Sequence, residues 1–138
     1  MKRLRDIISE AAQFQKLSGE GFISHRANIN GRFLYIQHTE KPLFGVETAF
    51  TYDGDFVKDK EKNISAAEAT KVYHTVRDSI SHYIKEKKPS YLKFSPADSK
   101  YIRHYERIAN HIATIHNGTV EKDEKESKHP IFKIKFNG

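Results

Sequence analysis

The chain has no cysteine, no tryptophan and a single methionine in 138 residues. Without cysteine there is no disulfide framework, no thiolate metal site and no thiol nucleophile. Such a composition suits a reducing compartment, and the expected location is cytoplasmic. No long apolar run is present, so no transmembrane helix is expected. The basic opening Met1-Lys2-Arg3-Leu4-Arg5 runs straight into Asp6 and Glu10 without the apolar stretch of a secretory signal. None of the seven glycines forms G-x-G-x-x-G or a P-loop, and no G-x-S-x-G elbow places a serine for nucleophilic attack. Cradling a pyrophosphate ordinarily needs backbone to approach closely at glycine, so these absences weigh against a nucleotide-type cofactor.

What is present is charge. Lysine and arginine number 24 against 18 acidic residues, a formal net charge of +6, with an isoelectric point near 9.4. A basic balance makes anionic partners accessible: nucleic acid, phosphate groups or acidic proteins. Both signs nevertheless alternate through most of the chain, the pattern of a well-solvated surface. The length is that of one domain, residues 1–138.

Hydrophobic spacing sets the expected elements. Leu4, Ile7, Ile8, Ala11, Phe14 and Leu17 recur at helical steps and predict a helix over 3–17, stopped at Ser18-Gly19. Residues 22–29 and 32–38 flank Asn30-Gly31, the strongest short hairpin signal, because both turn positions need φ > 0. Phe33, Tyr35 and Gln37 share one face of the second strand, and Leu34, Ile36 and His38 the other. Apolar residues on both faces predict a central strand. A strand over 44–52 follows. Asp53–Asn63 reads as a polar loop. Ser65-Ala66-Ala67-Glu68 reads as a capping box that opens a helix to Lys87, closed by Pro89. Its predicted buried face is Ala69, Val72, Tyr73, Val76, Ile80, Tyr83 and Ile84. A short strand at Tyr91–Phe94 leads to a helix over 97–116 with Tyr101, Ile102, Tyr105, Ile108, Ala109, Ile112 and Ile115 inward, stopped at Asn117-Gly118. Thr119–Val120 opens a further strand, Glu121–Lys128 is a mixed-charge loop, and Ile131–Phe136 ends the chain as a strand. The expected fold class is α+β, or three-layer α/β. It is a mixed, mostly antiparallel sheet with helices 65–87 and 97–116 on opposite faces and the N-terminal helix on one of them.

Candidate chemistry is sparse. The eight histidines show no metal-ligand spacing, and are expected at the surface or half-buried, with no metal. Tyr73, Arg77, Tyr83, Arg103, Tyr105 and Arg107 mix the residue types that stack bases and neutralise phosphates. From that set Arg77, Arg103 and Arg107 are the candidate macromolecule-binding residues.

Two resemblances add to this. The order of three strands, helix, strand, helix and terminal strands resembles the GCN5-related N-acetyltransferase family. Asp98-Ser99-Lys100-Tyr101-Ile102-Arg103-His104-Tyr105-Glu106-Arg107 is similar to the family's helix motif N-x-x-A-x-x-L-Y-E-K/R. Asp98 stands in place of Asn, and Tyr105-Glu106-Arg107 matches Tyr-Glu-Lys/Arg. The resemblance implies an acyl-coenzyme A cofactor and Tyr105 as the acid that protonates its leaving thiolate. The family's glycine-bearing pyrophosphate loop is replaced here by Asn63-Ile64-Ser65-Ala66-Ala67-Glu68. The stretch from Val72 to Ile112, with Lys88-Pro89-Ser90-Tyr91-Leu92-Lys93-Phe94-Ser95-Pro96-Ala97 between its helices, resembles small tailed-bacteriophage proteins and implies a viral protein acting in a bacterial host. The expectation is therefore a non-enzymatic accessory protein without cofactor, contacting a host or viral macromolecule and no membrane. The alternatives are an acyl-coenzyme A-dependent N-acetyltransferase-like enzyme and a weak nucleic-acid-binding protein.

Overall fold

The computed structural model describes residues 13–41, 45–52, 66–94, 102–123 and 131–137. They form a mixed α+β arrangement: seven strands in one mostly antiparallel sheet, with two helices. The strands are β1 (Phe14–Gly19), β2 (Phe22–Ile29), β3 (Arg32–Lys41), β4 (Gly45–Tyr52), β5 (Tyr91–Phe94), β6 (Gly118–Asp123) and β7 (Ile131–Phe136). The helices are α1 (Ala66–Lys87) and α2 (Ile102–His116). The spatial order is β1-β2-β3-β4-β5-β7-β6, and only β4 and β5 pair in parallel.

Local chemistry explains most of these elements. Asn30 and Gly31 take φ of 54° and 86°, as the predicted hairpin requires, and the Gly31 amide donates to Asn28 Oδ1 at 2.9 Å. Helix α1 ends at Lys87, where Pro89 forbids continuation. Asn117, at φ 56°, ends α2 in the left-handed region. Strand β3 is interior to the sheet, as predicted.

One core covers one face. Ile23, Ala27, Leu34, Ile36, Val46, Tyr52, Leu92, Phe94, Phe132 and Ile134 are buried from the sheet, and Val76, Ile80, Ile108 and Ile112 from the helices. Both helices lie on this face. Ser79 of α1 bonds to His25 and His38, and Tyr105 of α2 stacks on Phe50 with centroids 5.0 Å apart. His38 and Phe50 point the same way, because Ile36 and Phe50 are in register. The expectation of helices on opposite faces is therefore corrected. The chain steps from β4 to β5, then past β7 to β6, always in the same direction across the sheet. Right-handed crossovers taken in one direction place their helices on one side.

Three further expectations are corrected. Phe14–Leu17 is strand, not helix: β1 forms a hairpin with β2, and Gly19 to Gly21 make its turn rather than a helix stop. Phe14 and Leu17 suit a helical stripe, but the hairpin register leaves Leu17 66% exposed. The rest of the predicted N-terminal helix lies outside the described residues, as do Phe44, the 53–63 loop and Ser65. Strand β6 continues through Glu121–Asp123, which an edge strand tolerates because its outward side chains meet water. Ile115, predicted inward, is exposed.

Candidate functional site

The sequence candidates Arg77 and Arg107 lie where the two helices run side by side, and Arg103 stands one turn before Arg107 on α2. Arg103, Arg107 and His111 follow one another at four-residue steps along α2, which places them on one stripe. Tyr73 and Arg77 do the same on α1. The Arg107 guanidinium lies 5.3 Å from the Tyr73 ring centroid, a cation–π arrangement. The His111 ring stacks on the same tyrosine at 6.4 Å, with Tyr73 Oη 3.5 Å from His111 Nδ1. Burial, and after it the charges of Arg77 and His74, hold His111 below the usual histidine value. Further along, His116 Nε2 lies 3.0 Å from Ser81 Oγ.

Two carboxylates stand near this charge, Asp78 on Arg77 itself and Glu106 turned toward Lys122 of β6. Arg77 bonds to Asp78 at 3.1 and 3.2 Å, and Glu106 lies 4.0 Å from Lys122. Arg103 and Arg107 are exposed. His74 Nδ1 is buried without a hydrogen-bond partner among the described residues, an acceptor or donor left open beside the ridge. His74 and His111 are the members that sequence reasoning missed. The four-residue spacing 103–107–111 carried the signal for His111.

The other aromatic candidates do not join this surface. Tyr105 is buried against Phe50 and Phe94. Burial pushes its hydroxyl well above the usual phenol range, with a backbone hydrogen bond at Phe50 opposing. That places the proposed acid of the acetyltransferase resemblance in the core. Tyr83 is also buried, and burial, with Glu40 and Glu86 nearby, raises it to about 12. It forms part of an open cleft of about 440 Å³ with Glu40, Lys41, Gly45 and Lys87.

The histidines divide in a way their spacing did not reveal. His25 and His38 are buried, not half-exposed. Ser79 Oγ lies 2.5 Å from His25 Nδ1 and 2.9 Å from His38 Nε2, and His38 Nδ1 lies 2.7 Å from Thr48 Oγ1. The result is a continuous polar chain, Thr48–His38–Ser79–His25, inside an apolar core. Tyr83 stacks on His38 at 4.7 Å, and Phe14 packs against His25 with its ring tilted, centroids 4.3 Å apart. Burial lowers His38 to about 3, with His25 adding to it. Burial also lowers His25 to about 4, helped by His82 and Lys16 and opposed by Glu86. Both are neutral at neutral pH. Ser79 is fully buried, so the chain offers no reachable nucleophile there. Among the described residues no group of histidine, aspartate and glutamate side chains is placed to hold a metal ion.

The N-terminus of α1 is occupied from within. Glu68, in its first turn, accepts from Asn30 Nδ2 at 3.0 Å and from Arg32 at 3.2 Å. The carboxylate expected to complete a capping box is thus held by the β2–β3 hairpin. No described helix is long and apolar enough to cross a membrane. Set against models of protein families, curated proteins and solved structures, the chain matches none of them.

Proposed function

We propose that the chain is a non-enzymatic binding protein that contacts a polyanionic macromolecule through the α1–α2 ridge. The carrying observation is the gathering of Arg103, Arg107, Tyr73, His111 and Arg77 on one surface from two helices. Guanidinium groups neutralise phosphates, and those held over aromatic rings lose less freedom on binding. The chain's net charge of +6 adds long-range attraction. The resemblance to small bacteriophage proteins supports a partner inside an infected host.

Duplex DNA is the direct probe, because its backbone presents charge without exposed base faces. Affinity is expected to fall steeply with added salt as counterions are released. Changing Arg103→Glu and Arg107→Glu should reduce the salt slope by about one unit for each phosphate that is no longer neutralised. An unchanged slope would remove the ridge from consideration.

A second reading, an acyl-coenzyme A-dependent N-acetyltransferase-like enzyme, is favoured by one observation. Three strands, a helix, a strand, a helix and two strands run from β2 to β7, the succession on which that resemblance rests. Two features weigh against it. Glu68 sets a negative charge at the helix end where a pyrophosphate would approach, and Tyr105 lies in the core. Calorimetric titration with acetyl-coenzyme A separates the readings. No saturable heat is expected, and micromolar binding would reverse the ranking.

A further inference from the structure

The outer face of the sheet, opposite the helices, carries chemistry that the ridge does not use. On β1 to β3 it presents Gln15, Arg26, Asn28, Phe33, Tyr35 and Gln37, all exposed. An antiparallel sheet with one solvated face ordinarily turns polar side chains outward. Here Phe33 and Tyr35 stand in water at 42% and 41% exposure, on an interior strand. Their ring centroids are 6.2 Å apart at 36°. The Arg26 guanidinium lies 5.3 Å from the Phe33 centroid, and its Nη2 donates to Gln15 Oε1 at 2.8 Å. The in-register neighbours of Tyr35 and Gln37 are Arg26, Thr51, Ser24 and Ala49, none of them acidic. Glu47 shares this face but stands opposite Thr39, beyond Gln37 at the far end of the patch.

We propose that this face binds single-stranded nucleic acid by stacking unpaired bases on Tyr35 and on the Arg26–Phe33 pair. The two rings lie against each other and Arg26 lies over Phe33, so part of their side-chain freedom is already given up before a base arrives. Every base has a π-face, and aromatic rings and guanidinium planes both accept it. Arg26 brings the positive charge that suits a phosphate backbone. The amides of Gln15, Asn28 and Gln37 each carry donors and an acceptor that can address base edges. Among the described residues no carboxylate stands in register beside the two rings, so these neighbours do not repel a polyanion. A duplex cannot use this surface, because its base faces are already stacked on one another. The site is independent of the α1–α2 ridge, which lies across the sheet.

The test uses the full chain and a dye-labelled twelve-nucleotide oligodeoxythymidylate, with an abasic oligomer of the same length as control. The chain has no tryptophan, so Tyr35→Trp supplies a unique reporter while keeping an aromatic ring. Its fluorescence should be quenched on adding the base-bearing oligomer. The abasic oligomer should bind at least about tenfold more weakly, in line with the usual contribution of base–aromatic stacking. Phe33→Ala with Tyr35→Ala should cost a similar factor, and a circular-dichroism melt checks that this variant folds. The ridge variant Arg103→Glu with Arg107→Glu should leave the ratio between the two oligomers unchanged, so failure here and failure of the ridge can be told apart. Equal affinity for the two oligomers overturns the proposal. So does indole emission from the free Tyr35→Trp variant that is blue-shifted and shielded from iodide, which would mean that the chain covers this face itself.

Discussion

The Ser79 hydroxyl of α1 lies 2.9 Å from Nε2 of His38 on β3. The same oxygen meets His25 on β2. One small side chain therefore ties the helix to two adjacent strands through the middle of an apolar core. A hydroxyl has one proton to donate and can accept another, so it can serve two neutral imidazoles at once.

Replacing Ser79 with Ala should strand both ring nitrogens in the core. Each buried polar group left without a partner costs about 1–3 kcal/mol, so the expected loss for two is about 2–6 kcal/mol. A urea midpoint that falls accordingly, with the slope of the transition unchanged, bears this out. A shift below about 0.5 kcal/mol would mean the chain of hydrogen bonds contributes no net stability.

Acid should destabilise the fold through the same residues. In the native state His38 and His25 titrate near 3 and 4, against an ordinary value of 6.5. The unfolded chain therefore binds more protons than the native one as pH falls below 6.5. Stability from these groups is complete above that pH and is lost as pH drops toward 4 and 3. While both titrate only in the unfolded state, each contributes a slope of up to about 1.4 kcal/mol per pH unit. Urea melts between pH 7.5 and 4.5 measure it, and His38→Gln should flatten the dependence.

Gly45 and Gly21 should respond differently to alanine. Both have positive φ, 84° and 76°, so each substitution carries a backbone cost of about 1–2 kcal/mol. A Cβ on Gly45 would sit 2.6 Å from the Tyr91 carbonyl oxygen, across the parallel β4–β5 pairing, whereas one on Gly21 meets nothing within 4 Å. Gly45→Ala should therefore lower the thermal midpoint clearly more than Gly21→Ala. Equal shifts would show that the strand approach plays no part.

Where the sequence was readable, it was readable through local rules. Asn30-Gly31 needed two left-handed residues and has them. Pro89 and Asn117-Gly118 closed their helices where expected. The apolar stripe of α2 put Ile108 and Ile112 in the core. At Phe14–Leu17 the apolar spacing suited a helix, and pairing with β2 overrode it. Arg103, Arg107 and His111 could be seen as one stripe, but not that Tyr73 of α1 would lie between Arg107 and His111.

The sequence alone determined what depends on neighbours along the chain: the Asn30-Gly31 turn, the helix ends and the apolar stripe of each helix. Tertiary structure alone decided which residues separated by dozens of positions meet. His25, His38 and Ser79 carry no mutual spacing signal, yet the sheet register and the crossover of α1 bring them within hydrogen-bonding distance. The same holds for the two helices sharing one face. Each helix shows that it has an apolar side, but the direction in which the chain steps from strand to strand decides where that side packs, and so leaves Phe33 and Tyr35 facing water.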